Sequence, residues 1–275
     1  MKIVIFYFTG TGNTRYIAEN LELSLNRKGM EAKSMSIVGI EKMQIDEEIN
    51  NNDIVFIAYP IYGSDMPENM KRFIHSMPDG NDKKLGVICS QMLFSGDGSS
   101  IMHRFLRKKG YDQIWSYQIN MPNNLCIKGS PFKQYDDYDV IEQRYLAGAR
   151  AKVGKICDAV IGDKRRVGDN TIFHKAMALM QRPFYKSMGK KSFSHKLNVD
   201  ISLCNKCEKC IDNCPNNVIM MDDEQVKFTQ QDKCTVCLRC MNYCPKSAIT
   251  FGGNVKQPLY KGPTKDMFLK IFNGR

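Results

Sequence analysis

With 275 residues, 43% of them hydrophobic, the chain is long enough to bury one large core and one small one, which excludes disorder as the starting expectation. Its formal charge of +11 points toward nucleic acid or an anionic surface, yet no stretch approaches the roughly 20 consecutive apolar residues that cross a bilayer. The apolar opening Ile3 to Phe8 breaks at a glycine-rich turn without the layout of a signal peptide, so a cytoplasmic protein is expected.

Residues 1–162 alternate short apolar runs with helical patterns, as strand-helix units around a parallel sheet do. Strands are expected near 2–8, 31–37, 53–59, 85–90 and 114–120. Helices are expected over 14–28, 67–77, 100–109 and 138–161, the third with Ile101, Phe105 and Leu106 on one face. The fold class is therefore α/β, with a doubly wound, five-stranded parallel sheet. Such sheets bind ligands beyond the carboxyl ends of their strands, where the strand order reverses, which directs attention to the loops after strands one, three and four. Cys89 at a strand end, Cys126 in a loop and Cys157 in a helix read as structural thiols.

Residues 163–196 form a basic, partly helical connector, and over 164–196 nine Lys or Arg stand against Asp169 alone. Within it Phe173, Met177, Met180 and Phe184 fall at helical spacing, an apolar stripe suited to packing on a neighbouring domain. Residues 197–252 make a second, small α+β domain. Residues 253–275 follow as a C-terminal docking tail, with Lys256, Lys261, Lys265 and Lys270 among Met267, Phe268, Ile271 and Phe272.

After the first strand comes Thr9-Gly10-Thr11-Gly12-Asn13-Thr14, with a helix beginning at Arg15. Each residue type suits a phosphate cradle: glycines admit a close anion, Thr and Asn side chains donate, and the helix start supplies N–H groups and the positive end of its dipole. A dinucleotide fingerprint needs a third glycine where Arg15 stands, and a P-loop needs Gly-Lys-Ser/Thr, which is absent. Here the chain resembles the flavodoxins, whose first-strand signature runs through Ile5-Phe6-Tyr7, Thr9, Gly12, Thr14, Ala18 and Leu21. The resemblance implies bound FMN, with ring contacts in Tyr59-Pro60-Ile61-Tyr62-Gly63 and in Ser90-Gln91-Met92-Leu93-Phe94-Ser95-Gly96-Asp97-Gly98. It implies Tyr62 on one side of the ring, Met92 or Phe94 on the other, and the Gly63 carbonyl toward the protonated central ring. Trp115, the only tryptophan, lies on strand five, away from these loops.

Eight of the eleven cysteines crowd into 204–244, a spacing that in a reducing compartment favours metal ligation over disulfides. They form an internal repeat. Cys204-Asn205-Lys206-Cys207-Glu208-Lys209-Cys210 recurs thirty residues on as Cys234-Thr235-Val236-Cys237-Leu238-Arg239-Cys240, and the copies end in Cys214-Pro215 and Cys244-Pro245. Both read Cys-x-x-Cys-x-x-Cys-x-x-x-Cys-Pro, and over 197–252 the chain resembles two-cluster bacterial ferredoxins. That resemblance implies two 4Fe-4S clusters with exchanged fourth ligands: Cys204, Cys207, Cys210 and Cys244 on one, Cys234, Cys237, Cys240 and Cys214 on the other. Paired zinc sites seldom use an uninterrupted run of this kind. Val218-Ile219-Met220 and Ala248-Ile249-Thr250 look like the short paired strands that cover such a core.

The order of the two halves resembles the fused flavodoxin-ferredoxin proteins of anaerobic bacteria. It implies an electron-transfer flavoprotein that relays low-potential electrons between the clusters and FMN, with a soluble redox protein as donor or acceptor and no catalytic acid or base. A cluster core with two positive charges inside four thiolates adds two negative charges, so a pair lowers the net charge from +11 to about +7, which weakens a nucleic-acid reading. No stable membrane insertion is expected. The competing reading is a flavin-dependent reductase of a quinone-like or other two-electron acceptor, with its pocket near His75, His103 or Met121-Pro122-Asn123-Asn124. A membrane or nucleic-acid module built on the connector is a third.

Overall fold

In a computed structural model the first strand is β1 (Lys2–Tyr7), whose residues Ile3 to Phe6 are fully buried. The described residues are 1–63, 65–93, 98–129, 133, 135–166, 179, 193–255 and 258–272, and the stripe Phe173, Met177, Met180 and Phe184 lies outside them. Among the described residues no helix is long and apolar enough to cross a membrane. The chain folds as two units. The first is Met1–Thr9, Asn13–Met121 and Tyr145–Pro183; the second is Gly10–Gly12, Pro122–Arg144 and Phe184–Arg275.

The first unit is built on five parallel strands in the order β2-β1-β3-β4-β5, with β2 (Glu31–Ser36), β3 (Ile54–Pro60), β4 (Lys84–Gln91) and β5 (Asp112–Asn120). The central strands are continuous apolar runs because both faces of such a sheet are covered. Helix α1 (Asn13–Arg27) buries Ile17, Leu21 and Leu25 one turn apart, as an amphipathic stripe must. Helices α3 (Glu68–Ser76) and α4 (His103–Lys108) fall in expected segments, α4 starting later than the sequence suggests, after a 3-10 turn at Gly98–Ser100. In the core, Phe56, Gly86 and Trp115 stand in register on β3, β4 and β5. Gly86 has no side chain, so the flanking rings meet over it, stacked at 5.7 Å between centroids.

Three features depart from the sequence reading. A helix, α2 (Lys42–Asn51), occupies a stretch where the sequence suggests none; it buries only Ile45 and Ile49, too short a stripe to stand out. The expected helix over 138–161 consists of α5 (Tyr138–Ile141), capped by Asp137, a π-helical turn at Glu142–Leu146, and α6 (Ala147–Ile161). The start of the connector continues the sheet: Arg166 N–H donates to Ile114 O and Ser116 N–H to Arg166 O, both at 2.8 Å, beside β5.

In the second unit, β6 (Leu197–Val199) pairs antiparallel with β9 (Ile249–Phe251), and β7 (Ile219–Asp222) with β8 (Gln225–Phe228). The two strands expected after the Cys-Pro pairs thus form, each with its own partner. Short helices α7 (Lys209–Asp212) and α8 (Arg239–Tyr243) lie within the repeats, and α9 (Lys265–Phe272) ends the described chain. Leu197, Val218, Ile219, Val226, Leu238, Met241 and Ile249 make the core, and Cys126 and Leu259 join it from outside the ferredoxin-like segment. The tail folds onto α8: Tyr260 N–H donates to Asn242 Oδ1 at 2.9 Å, and Phe268 meets the Tyr243 ring edge-on at 5.2 Å.

Candidate functional site

The two cysteine repeats share one backbone. Lys206, Glu208 and Asn217 take φ of +54°, +57° and +51°; thirty residues on, Val236, Leu238 and Ser247 take +54°, +58° and +53°. Left-handed conformations are unfavourable for non-glycine residues, most of all for β-branched Val236, so their recurrence marks a loop held to a shape by what it wraps. Alternating handedness turns successive N–H groups inward as a nest for anionic atoms. Two such donors already reach sulfur: Val236 N–H to Cys234 Sγ at 3.3 Å and Ala248 N–H to Cys244 Sγ at 3.2 Å.

Two cavities result. Cys204, Cys207, Cys210 and Cys244 line one, with about 320 Å³ of space counted out through its open mouth. Cys214, Cys234, Cys237 and Cys240 line the other, about 330 Å³ on the same count. Each is bordered by three cysteines of one copy and the last cysteine of the other. Among the described residues no group of three or more His, Cys, Asp or Glu side chains is placed to hold a single metal ion. Burial, then repulsion from the thiolates of Cys244, Cys204 and Cys207, pushes the Cys210 thiol up to about 12, and burial raises Cys237 and Cys240 as well. Four sulfurs so placed call for a cationic core to hold them as thiolates, which an iron-sulfur cube provides. The residues fit the group.

The copies differ in exposure. Asn205, Lys206, Cys207 and Glu208 are exposed, whereas Thr235, Cys237 and Leu238 are buried. The cysteines follow suit: Cys207 is exposed, whereas Cys234 and Cys237 are buried.

At the switch point of the sheet, between β1 and β3, the loops after β1, β3 and β4 stand side by side because their strands are neighbours. In the first loop Thr9, Thr11 and Thr14 are buried, Gly12 has φ +100°, and α1 opens at Asn13. Thr14 Oγ1 and Ser90 Oγ, 2.7 Å apart, tie α1 to the end of β4. In the second loop Tyr62 and Asp65 exchange backbone hydrogen bonds of 2.9 and 3.1 Å around Gly63 at φ +56°, while Lys71 Nζ holds Asp65 Oδ2 at 2.6 Å. Ile61 N–H, after Pro60, donates to Ser90 O at 3.0 Å, linking the second loop to the third.

The Tyr59 ring is 1% exposed, and its hydroxyl donates to Gly98 O at 2.8 Å. Gln91 Nε2 donates to Asn120 Oδ1 at 2.9 Å, and Met92 is half-buried beside it. Phe94, Gly96 and Asp97 lie outside the described residues. Of the groups offered for a reductase pocket, His103 Nδ1 is engaged with Gln113 Oε1 at 2.9 Å, and the His75 ring lies tilted against Phe105, 4.3 Å between centroids. Buried threonines, a glycine at positive φ and the start of a 15-residue helix fit a phosphate. The buried Gln91 Oε1 lacks a hydrogen-bond donor among the described residues, as an acceptor for a flavin imide N–H would. These residues fit a flavin phosphate ester.

Sequence reasoning missed Arg239. Its Nε donates to Gly10 O at 2.7 Å and its Nη1 to Asn213 O at 3.0 Å, both within the second unit. Its place between two cysteines, where the first copy has Lys209, was the available signal.

The flavodoxin domain model matches residues 4–121, and the 4Fe-4S dicluster domain model matches residues 203–248. The first family implies a flavin and the second an iron-sulfur cluster. No curated protein matches the chain. Among solved structures, oxidised flavodoxin 2 from Bacillus cereus is 18% identical, with a TM-score of 0.43 over 59% of this chain and 99% of that one. Two-electron reduced flavodoxin from Megasphaera elsdenii is 19% identical, with a TM-score of 0.41 over 57% of this chain and 99% of that one. Rubredoxin oxygen:oxidoreductase from the anaerobe Desulfovibrio gigas is 18% identical, with a TM-score of 0.40 over 58% of this chain but only 37% of that longer one. The fold assignment rests on the strand order and the family match.

Proposed function

We propose, for a chain that joins a flavodoxin domain to a 4Fe-4S dicluster domain, that it is an electron-transfer flavoprotein relaying low-potential electrons between two 4Fe-4S clusters and FMN. The observation that carries this reading is the pair of similar cavities, each bordered by three cysteines of one repeat and the fourth of the other. Cys204, Cys207, Cys210 and Cys244 hold one cluster; Cys214, Cys234, Cys237 and Cys240 hold the second. Thr9 to Thr14 bind the flavin phosphate, and Tyr62 and Met92 flank the ring, with the Gly63 carbonyl at its edge. When bound, the clusters exchange single electrons and the flavin one or two.

The chain's own part is to exclude water, fix the donors and keep its thiolates reduced, which suits a reducing compartment and a soluble redox partner.

The test is protein prepared without air, assayed for iron and flavin and titrated with a low-potential reductant while absorbance and EPR are followed. About eight irons and one flavin per chain, all reducible, are expected. Iron without flavin, or flavin without iron, overturns the reading. Saturable turnover of quinones, nitro compounds or oxygen would make the protein a reductase instead.

A further inference from the structure

Arg239 opens α8 between Cys237 and Cys240, inside the buried repeat. Its guanidinium reaches two other segments of the second unit: Gly10 O at 2.7 Å, in the loop assigned to phosphate, and Asn213 O at 3.0 Å, the residue before Cys214. A planar fork of fixed donors sets the relative position of its acceptors far better than a point charge does. Gly10 C=O and Thr11 N–H share one rigid peptide plane and point in opposite directions. By holding the carbonyl, Arg239 therefore sets where the Thr11 N–H points, and aimed N–H groups are what a phosphate loop works with. The next peptide is backed too: at Gly262, φ +94°, an added Cβ would lie 3.2 Å from Thr11 O. A second tie supports the buried repeat, since Asn124 Nδ2 donates to Cys237 O at 3.2 Å and Asn242 Nδ2 to Asn124 O at 2.9 Å. In the other copy the matching residue is Lys209, in a loop whose Asn205, Lys206, Cys207 and Glu208 are exposed.

We infer that Arg239 is a positioning residue tying the phosphate-binding loop to the site of Cys214, Cys234, Cys237 and Cys240, and that this site, not that of Cys204, Cys207, Cys210 and Cys244, is coupled to the flavin. The inference rests on the function proposed above. Because such coupling is reciprocal, cluster assembly at the buried site tightens FMN and FMN stabilises that site.

The experiment uses the full chain, reconstituted with iron and sulfide without air, as parent, R239Q, R239K and K209Q. FMN affinity is read by quenching of flavin fluorescence, and the midpoint potential of each cluster by EPR with and without FMN. R239Q should weaken FMN by about tenfold, the scale of one charge-assisted hydrogen bond. R239K should weaken it less, and K209Q not at all. Added FMN should shift the potential of one cluster only, and the shift should vanish in R239Q. Parent-like FMN affinity in R239Q, an equal loss in K209Q, or no FMN-dependent shift overturns the inference. Should R239Q fail to hold iron, R239K decides, and unchanged FMN affinity there overturns it. A parent that binds no FMN or no iron refutes the proposed function itself, which keeps the two failures apart.

Discussion

Thr14 Oγ1 lies 2.7 Å from Ser90 Oγ, a buried hydroxyl pair joining the first turn of α1 to the end of β4. T14V keeps the shape but removes the hydroxyl, stranding its partner at a cost of about 1–3 kcal/mol. It should lower the urea midpoint and weaken FMN by roughly tenfold. S90A should cost similar stability but spare more FMN affinity, because Thr14 keeps a hydroxyl for the phosphate. Urea melts beside fluorescence titrations check both.

The exposed and buried repeats should lose metal unequally. Mild oxidation with a chelator should release iron in two phases, about four of about eight atoms leaving first. C207S, at an exposed ligand, should leave a folded protein with one cluster's EPR signal intact. C237S, at a buried one, should lower iron content further and reduce thermal stability. Iron analysis and EPR on both variants provide the comparison, and equal losses would contradict the asymmetry.

Burial pushes the thiols of Cys89 and Cys126 up to about 12 and that of Cys157 up to about 11, against an ordinary value of 9.0. A raised folded-state pKa keeps the neutral thiol in the native chain while the unfolded chain ionises. The stabilisation is therefore complete below pH 9 and is lost as pH rises toward 12. Unfolding free energy should fall across that window, and at pH 8 iodoacetamide should leave these three residues unmodified in native protein, as peptide mass spectrometry would show.

Gly86 lies under the Phe56 ring, and a Cβ there would sit 2.0 Å from Phe56 Cε1. G86A should destabilise the flavodoxin domain by at least about 1–3 kcal/mol and perturb the near-ultraviolet dichroism of Trp115. Adding F56L should recover part of the loss. Thermal melts of the single and double variants measure the coupling.

The central strands were legible because a parallel sheet covered on both faces demands unbroken apolar runs, and Ile3–Phe6 and Ile54–Ala58 supply them. Helix α2 was not, because Ile45 and Ile49 alone carry its stripe, and nothing in 138–161 announces a π-helical turn. The ferredoxin-like spacing singled out the eight cysteines that line the two cavities, yet the contrast between an exposed and a buried copy stood in the letters between them: Asn205, Lys206 and Glu208 against Thr235, Val236 and Leu238. What no local pattern could reveal was long-range pairing. Cys126 entering the second core and Arg239 meeting Gly10 join residues far apart in sequence.

The short pairing of Arg166 with β5 also bears on solubility. An uncovered outer strand is a ready template onto which another molecule's strand can zip, and here Arg166 takes that role at Ile114 and Ser116. Proteolytic clipping after Gly162 would strip this selvedge away and leave Ile114 and Ser116 bare, turning a well-behaved fold into one prone to clump through its rim.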